Sequence, residues 1–262
     1  MKENSQIKLE AFRLHSNIYF IGSAAVSVHL IDTEAGLVLI DTGYPDMGGL
    51  ILENIKKLGF APEKISAIFH SHGHIDHFGN TEKLAELSGA KTYISKIDND
   101  ILNGKLDLSW AKELGLQRMP PFSCDVMLLD GDSFDFGNTK IRCVHTPGHT
   151  DGVMSFIITL ADGKVAAMHG GVGSNSMSSA FLLEYGLSFD CRLKFKEGLK
   201  KLSREKVDLV LGNHPEQNDT LGKMLKAKEG FEVLDEGEWL RLMSALETKI
   251  ESIMKNDPEP QK

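Results

Sequence analysis

Hydrophobic and polar positions alternate along this chain with two different periods, and the switches between them mark the elements. Apolar runs at residues 18–21, 26–31 and 37–40 are separated by Gly22-Ser23 and by Thr33-Glu34-Ala35-Gly36. That pattern predicts an N-terminal β-meander whose last connection is a hairpin turn. From residue 46 to 58 the spacing becomes helical, with Leu50, Ile51, Ile55 and Leu58 on one face and Gly59 as the stop. Residues 65–69 read as a buried strand, 80–87 as a helix and 92–95 as a strand. Residues 98–123, which hold Trp110, Met119, Pro120 and Pro121, are irregular and read as a packed connector, with part of a substrate rim as the alternative. The second half predicts strands at 126–129, 140–145, 153–159, 165–168 and 207–211, and helices at 192–202, 221–227 and 239–254. Two strand-rich halves, each with helices outside it, fit a layered α/β architecture.

No Pro/Ser-rich linker interrupts the alternation, so residues 1–254 are expected to form a single domain and residues 255–262 a frayed, disordered tail. Hydrophobic residues at 41% and charged residues at 25% are ordinary for a globular protein with ample core. The balance of 37 acidic against 29 basic residues gives a formal charge of -8, which argues against nucleic acid as a partner. The lysines between 194 and 206 read as the solvated face of an amphipathic helix. Cys124, Cys143 and Cys191 fall in no metal-binding spacing and read as buried free thiols. Residues 1–6 lack the apolar stretch of a signal peptide, and no run is long enough to span a membrane. The expectation is a cytoplasmic protein without membrane contact.

Candidate chemistry concentrates in His72-Gly73-His74-Ile75-Asp76-His77, four potential metal ligands in six residues. Imidazole and carboxylate suit zinc and its neighbours. The segment sits on the turn between a strand and a helix, so His72 and His74 can face one metal while Asp76 and His77 face another. Two further strand ends supply histidines: His149, on the turn of Thr146-Pro147-Gly148-His149, and His214, in Gly212-Asn213-His214-Pro215. Counting His72, His74 and His149 for one ion, and Asp76, His77 and His214 for the other, each has three protein ligands and a position open for water. Open coordination marks a catalytic site.

The order of these segments, with Leu37-Val38-Leu39-Ile40-Asp41-Thr42-Gly43 upstream, resembles the metallo-β-lactamase superfamily of binuclear hydrolases. The third subclass of the true lactamases is the most similar, with three histidines at the first metal and Asp-His-His at the second. Residues 55–60, Asp130-Gly131-Asp132, His214-Pro215 and a C-terminal helix carrying Trp239 extend the resemblance over residues 8–254. It implies a four-layer αββα sandwich, a cofactor of two zinc ions (with Fe or Mn as alternatives), and a small-molecule substrate. Asp76 takes the catalytic role of orienting the nucleophile. Asp41 resembles the aspartate that lies behind the ligands and is expected to orient them; Ser71 and Thr150 could do similar work. His70 and His145 are expected to be core or supporting residues.

His169 sits where many superfamily hydrolases place a metal-bridging aspartate, and is expected beside the metals in a supporting role. No Asp or Glu stands there, which argues against a bridging-Asp glyoxalase or lactonase. The third subclass also lacks the bridge, yet commonly has serines where this chain has the glycines of residues 170–173, with Ser174 and Ser176 just beyond. The reading is therefore a metal-dependent hydrolase that opens a β-lactam or similar cyclic amide, with a lactone, ester or thioester as the alternative substrate. A di-iron redox protein is less favoured, because such relatives usually carry Glu at the position of His74 and continue into a flavodoxin domain. A non-catalytic metal-binding scaffold is the remaining alternative.

Overall fold

The computed structural model describes residues 9–260. Residues 1–6, read above as lacking a signal peptide, and the last two residues of the expected tail lie outside them. Seven strands form the first sheet in chain order: β1 (Phe12–His15), β2 (Ile18–Phe20), β3 (His29–Thr33), β4 (Gly36–Ile40), β5 (Ile65–Phe69), β6 (Lys91–Ser95) and β7 (Val126–Leu128). The second sheet runs in reverse order from β12 (Leu209–Leu211) through β11 (Val165–Met168), β10 (Met154–Thr159) and β9 (Lys140–His145) to β8 (Ser133–Asp135). Pairing is antiparallel from β1 to β4 and parallel from β4 to β7. In the second sheet only β11 and β12 are parallel. The helices are α1 (Gly48–Lys57), α2 (Ile75–Phe78), α3 (Thr81–Ser88), α4 (Lys96–Leu102), α5 (Ser179–Glu184), α6 (Cys191–Leu202), α7 (Thr220–Lys228) and α8 (Glu238–Asn256).

Layering follows from the two-residue period of the strands. In β4, Val38 and Ile40 join the core between the sheets, whereas Leu37 and Leu39 turn outward onto Ile51 and Ile55 of α1 and Leu84 of α3. In β10, Phe156 and Ile158 face the inter-sheet core while Ile157 faces Phe195 of α6 and Trp239 of α8. Strands buried on both faces read as nearly continuous apolar runs, which is why these strands stand out in the sequence. Fully burying one such side chain stabilises by about 1.5–3 kcal/mol. Trp239 is buried with its indole N–H donated to the Leu202 carbonyl (2.9 Å), which closes α8 onto the end of α6. The result is the αββα sandwich.

The structure adds β1, β8, the single-turn α2, α4 and α5 to the elements expected from periodicity. The C-terminal end also differs from expectation. Instead of fraying from residue 255, α8 continues through Asn256, and Asp257 accepts hydrogen bonds from the Ser179 N–H (2.7 Å) and the buried Arg192 guanidinium (3.0 Å). A buried cation that finds a carboxylate there orders the chain beyond the helix. Among the described residues no helix is long and apolar enough to cross a membrane.

Candidate metal centre

The C-terminal end of β5, the turn after β9 and the loop after β12 deliver the six chemistry-bearing side chains. Leaving β5, the chain passes through His70, a bend at Ser71, and His72. His74 then stands at the N-cap of the single-turn helix α2, which carries Asp76 and His77. His149 comes from a turn that only glycine can make at 148: its φ is +149°, and a Cβ there would lie 2.6 Å from the Phe195 Cβ. His214 follows the end of β12 after Gly212 and Asn213.

These six form two trios. The ligand-type atoms of His72, His74 and His149 lie within 4.8 Å of one another, as do those of Asp76, His77 and His214. The trios adjoin, the rings of His72 and His77 being 4.3 Å apart. Four of the five histidines have Nδ1 held by an oxygen: His72 by the Gly170 carbonyl (2.8 Å), His149 by the Gly173 carbonyl (2.8 Å), His77 by Asp41 Oδ2 (2.9 Å) and His214 by the Ala25 carbonyl (2.7 Å). Each imidazole that donates from Nδ1 keeps a lone pair on Nε2, the arrangement metal-bound histidines adopt. The Nε2 of His72 is buried with no hydrogen-bond partner. A buried polar atom without a partner is costly, and a cation held by the trio would satisfy it.

Asp41 holds the back of the centre. Its φ of +62° lies in the left-handed region that Asp tolerates better than most residues, and this bend turns the carboxylate toward β5. There it accepts from the Ser71 N–H (2.8 Å), the Ser71 hydroxyl (2.8 Å) and His77 Nδ1. Burial alone would raise its carboxyl pKa, but His77 and the Ser71 N–H together hold it below the usual carboxylate range. Burial works against a charge on His77 too, yet Asp76 and Asp41 raise its pKa. His72 and His74 are pushed well below the ordinary imidazole value, first by burial and then by neighbouring histidines, so both are neutral donors near neutral pH.

Asp98 is a supporting residue that sequence reasoning missed. Its Oδ2 accepts from the Gly73 N–H (2.8 Å) and from the Thr150 hydroxyl (2.6 Å), clamping the His72–His77 loop to the His149 turn. Burial raises its carboxyl to about 6 against the opposing hydrogen bonds from Thr150, Gly73 and Gly152. The one available signal was an acidic residue just inside the start of a helix, common to many solvated helices. Asn213, beside His214, donates to the Gly170 carbonyl (3.2 Å), the same oxygen that holds His72. His70 is core, bonded through Nε2 to the Thr81 hydroxyl (3.1 Å), and His145 braces the 145–151 turn through the Asp151 carbonyl (2.8 Å). Trp110, in the segment read as a packed connector with a substrate rim as the alternative, lies 5.2 Å from the His74 ring and 4.7 Å from Phe181, and so walls the centre.

His169 departs from expectation. Its Nδ1 accepts from the Gly171 N–H (3.2 Å), its Nε2 has no partner, and its ring lies 5.2 Å from Phe195. It bonds none of the six residues of the trios. The glycines that follow approach instead: a Cβ on Gly171 or Gly173 would come within 2.8 or 2.7 Å of the His149 ring. The short β11 ends at Met168, His169 just beyond it packs on Phe195 of α6, and the next turn runs beneath His149. His169→Asp is accordingly expected to leave metal stoichiometry and affinity unchanged and to destabilise the fold by about 2 kcal/mol, because a buried carboxylate has the Gly171 N–H for a donor but no cation to pair with. Metal titration combined with denaturant unfolding checks this; a tightened second ion would contradict it.

Residues 21–166, more than half the chain, match the family described as the Metallo-beta-lactamase superfamily. The chain belongs to that superfamily. Similar curated proteins include an uncharacterized protein of Aquifex aeolicus (strain VF5), 32% identical over 135 residues, covering 51% of this chain and 60% of that protein. Another is the probable metallo-hydrolase YflN of Bacillus subtilis (strain 168), 29% identical over 163 residues, covering 57% and 58%. The chain thus spans about three-fifths of the length of these relatives. Among solved structures it is similar to BJP-1, a subclass B3 metallo-beta-lactamase of Bradyrhizobium japonicum, at 26% identity and TM-score 0.85 over 97% of each chain. A motif mutant of a metallo-beta-lactamase from Cronobacter sakazakii gives 25% identity and TM-score 0.86 over 95% of this chain and 98% of that one. The two trios match the His-His-His and Asp-His-His sites of that subclass.

The buried histidines make the metal-free protein acid-sensitive. Burial depresses His29, His70 and His149 to about 4 and His169 to about 3. An unfolded chain titrates its histidines near 6.5. Below that pH the unfolded state takes up protons that the native state refuses, so stability is full above 6.5 and falls toward pH 4. Asp98, with its raised pKa, and His77 act in the opposite sense but are outnumbered. The expected result is a fall in Tm of the metal-free protein by about 5 °C or more between pH 7 and pH 4.5, followed by calorimetry. A flat or rising Tm would contradict it.

Proposed function

We propose that this chain is a binuclear metal-dependent hydrolase acting on a strained or activated acyl bond in a small molecule, with a β-lactam as the first substrate to test. The observation that carries this reading is the convergence of six donor side chains in two adjoining trios, four of the imidazoles held at Nδ1. In it His72, His74 and His149 hold one ion, and Asp76, His77 and His214 the other. The nitrogen and oxygen donors suit zinc, with iron and manganese as alternatives. When bound, such ions supply Lewis acidity, polarising a carbonyl oxygen and acidifying water toward neutral pH.

The chain's own residues do the rest. Asp76 Oδ2 lies 3.4 Å from His77 Nε2 and 3.6 Å from His214 Nε2, which leaves Asp76 Oδ1 to orient the attacking water and to pass its proton toward the leaving group. Asp41 and Asp98 hold the loops in register, and Trp110 restricts solvent at His74. Hydrolysis of a lactone, ester or thioester is the second reading. It is favoured by an adjoining cavity without a cationic side chain; the hydroxyl nearest His149 is that of Ser176, 3.0 Å from Nδ1 and donated to the His149 carbonyl (2.7 Å).

The test combines elemental analysis with a hydrolysis screen on zinc-supplemented protein, using a chromogenic β-lactam, simple lactones, thioesters and a phosphodiester. Two ions per chain and chelator-sensitive carbonyl hydrolysis are expected. One ion or none after added zinc, or phosphodiester cleavage without carbonyl hydrolysis, would overturn the reading.

A further inference from the structure

A cavity of about 250 Å³ opens beside the first trio, and His74 and His149 form part of its wall. Most of its remaining wall is apolar and comes from two separate parts of the chain: Ile97, Ile101, Leu106 and Leu108 from α4 and the loop after it, and Phe181 and Leu187 from α5 and its connection to α6. Ile97 and Leu106 remain 43% and 41% exposed, so the apolar lining reaches solvent. Concave apolar surface continuous with a cluster of convergent polar groups is the usual form of a ligand site. No Lys or Arg lines the cavity. Its charged groups are Asp98, which is fully buried with Oδ2 committed to Gly73 and Thr150, and Asp151, which is paired with Lys194 (3.1 Å).

We propose that this cavity binds an unbranched, uncharged hydrocarbon chain on the acyl side of the substrate, so that the scissile carbonyl lies at the two trios. The inference rests on the hydrolase reading above and narrows its substrate class to medium-chain acyl compounds. A carboxylate at the far end of the chain would meet Asp98 and Asp151 with no cation to pair with, whereas each methylene drawn out of water gains free energy. The reaction consumes one water, breaks the acyl C–O or C–S bond, and yields a carboxylate, a proton and the alcohol or thiol. The chain's position is the same before and after.

The test separates the cavity from the chemistry. Butanoate, hexanoate and octanoate are titrated calorimetrically into zinc-loaded protein, and kcat/KM is measured for nitrophenyl esters of the same acids. Binding and kcat/KM are each expected to rise about two- to fourfold per added methylene. Ser188 is exposed and lines the cavity, so Ser188→Trp fills it from the rim without disturbing the core. Leu106→Glu places a charge at its mouth. Both variants are expected to bind the same amount of zinc and to lose the dependence on chain length. A chain-length slope in binding, abolished by Ser188→Trp, supports the cavity assignment even if no ester is hydrolysed, in which case the hydrolase reading alone fails. Hydrolysis with no slope, or a slope that survives both substitutions, overturns the cavity assignment and leaves the hydrolase reading standing.

Discussion

Asp76→Ala is expected to bind one metal ion instead of two and to lose about 10²–10⁴-fold in turnover, while remaining folded. Asp76 is the only carboxylate in either trio. Its Oδ2 faces both His77 Nε2 and His214 Nε2, so its removal leaves two imidazoles facing a gap. The first trio does not include Asp76. His72 and His149 keep their Nδ1 bonds to the Gly170 and Gly173 carbonyls, which no change at Asp76 reaches. Metal titration followed by elemental analysis separates the sites: loss of both ions in step would show that they bind as one unit and that this partition is wrong. Asp76→Asn provides the control, since it keeps an oxygen donor but not the negative charge, and should retain the second ion weakly.

Asp41 touches no candidate ligand atom on the metal side, yet its removal should cost nearly as much. In Asp41→Ala the Ser71 N–H, the Ser71 hydroxyl and His77 Nδ1 would lose a shared acceptor inside a buried region. Removing one partner of a buried, hydrogen-bonded charged pair costs about 3–5 kcal/mol, and the positive φ at residue 41 adds about 1 kcal/mol for a side chain such as Ala. Losing the partner that orients a metal-bound histidine lowers metal affinity by about 10–100-fold. Asp41→Asn separates these effects, because Asn tolerates the left-handed backbone and retains one acceptor. It should restore most of the stability while leaving the second site weakened. Denaturant melts and metal titration read the two quantities independently, and an Asn variant with wild-type affinity at both sites would show that Asp41 serves the backbone alone.

Most of the fold was legible because strands buried on both faces, such as β4 and β10, carry unbroken apolar runs, and amphipathic helices such as α8 carry a clean helical period. The missed elements lack those signals. β8 is three residues long with its two outer positions exposed, and α4, reading Lys-Ile-Asp-Asn-Asp-Ile-Leu, has three polar residues in its centre. Its Asp98 and Asn99 are buried because they satisfy backbone N–H groups of other loops, Asp98 that of Gly73 and Asn99 that of Cys124 (2.9 Å). Polarity there encoded tertiary hydrogen bonds and not exposure.

By itself the sequence determined that metal chemistry is centred on residues 72–77, because four ligand-type side chains in six residues are a local fact that survives any folding. The period of its apolar positions also gave two strand-rich halves with helices outside them, while the four-layer order came from the family resemblance and not from periodicity. Only the tertiary structure decided what surrounds that loop. The Gly170 carbonyl that sets the tautomer of His72 is 98 residues away, and the Ala25 carbonyl that holds His214 is 189 residues away. Both are brought there by the packing of two sheets, which no local pattern expresses. The same packing turned His169 onto Phe195, placed two glycines beneath His149, and left the apolar cavity open beside His74. A side chain's direction at the end of a strand depends on where the chain bends next, and that bend is set by what the opposite layer leaves room for.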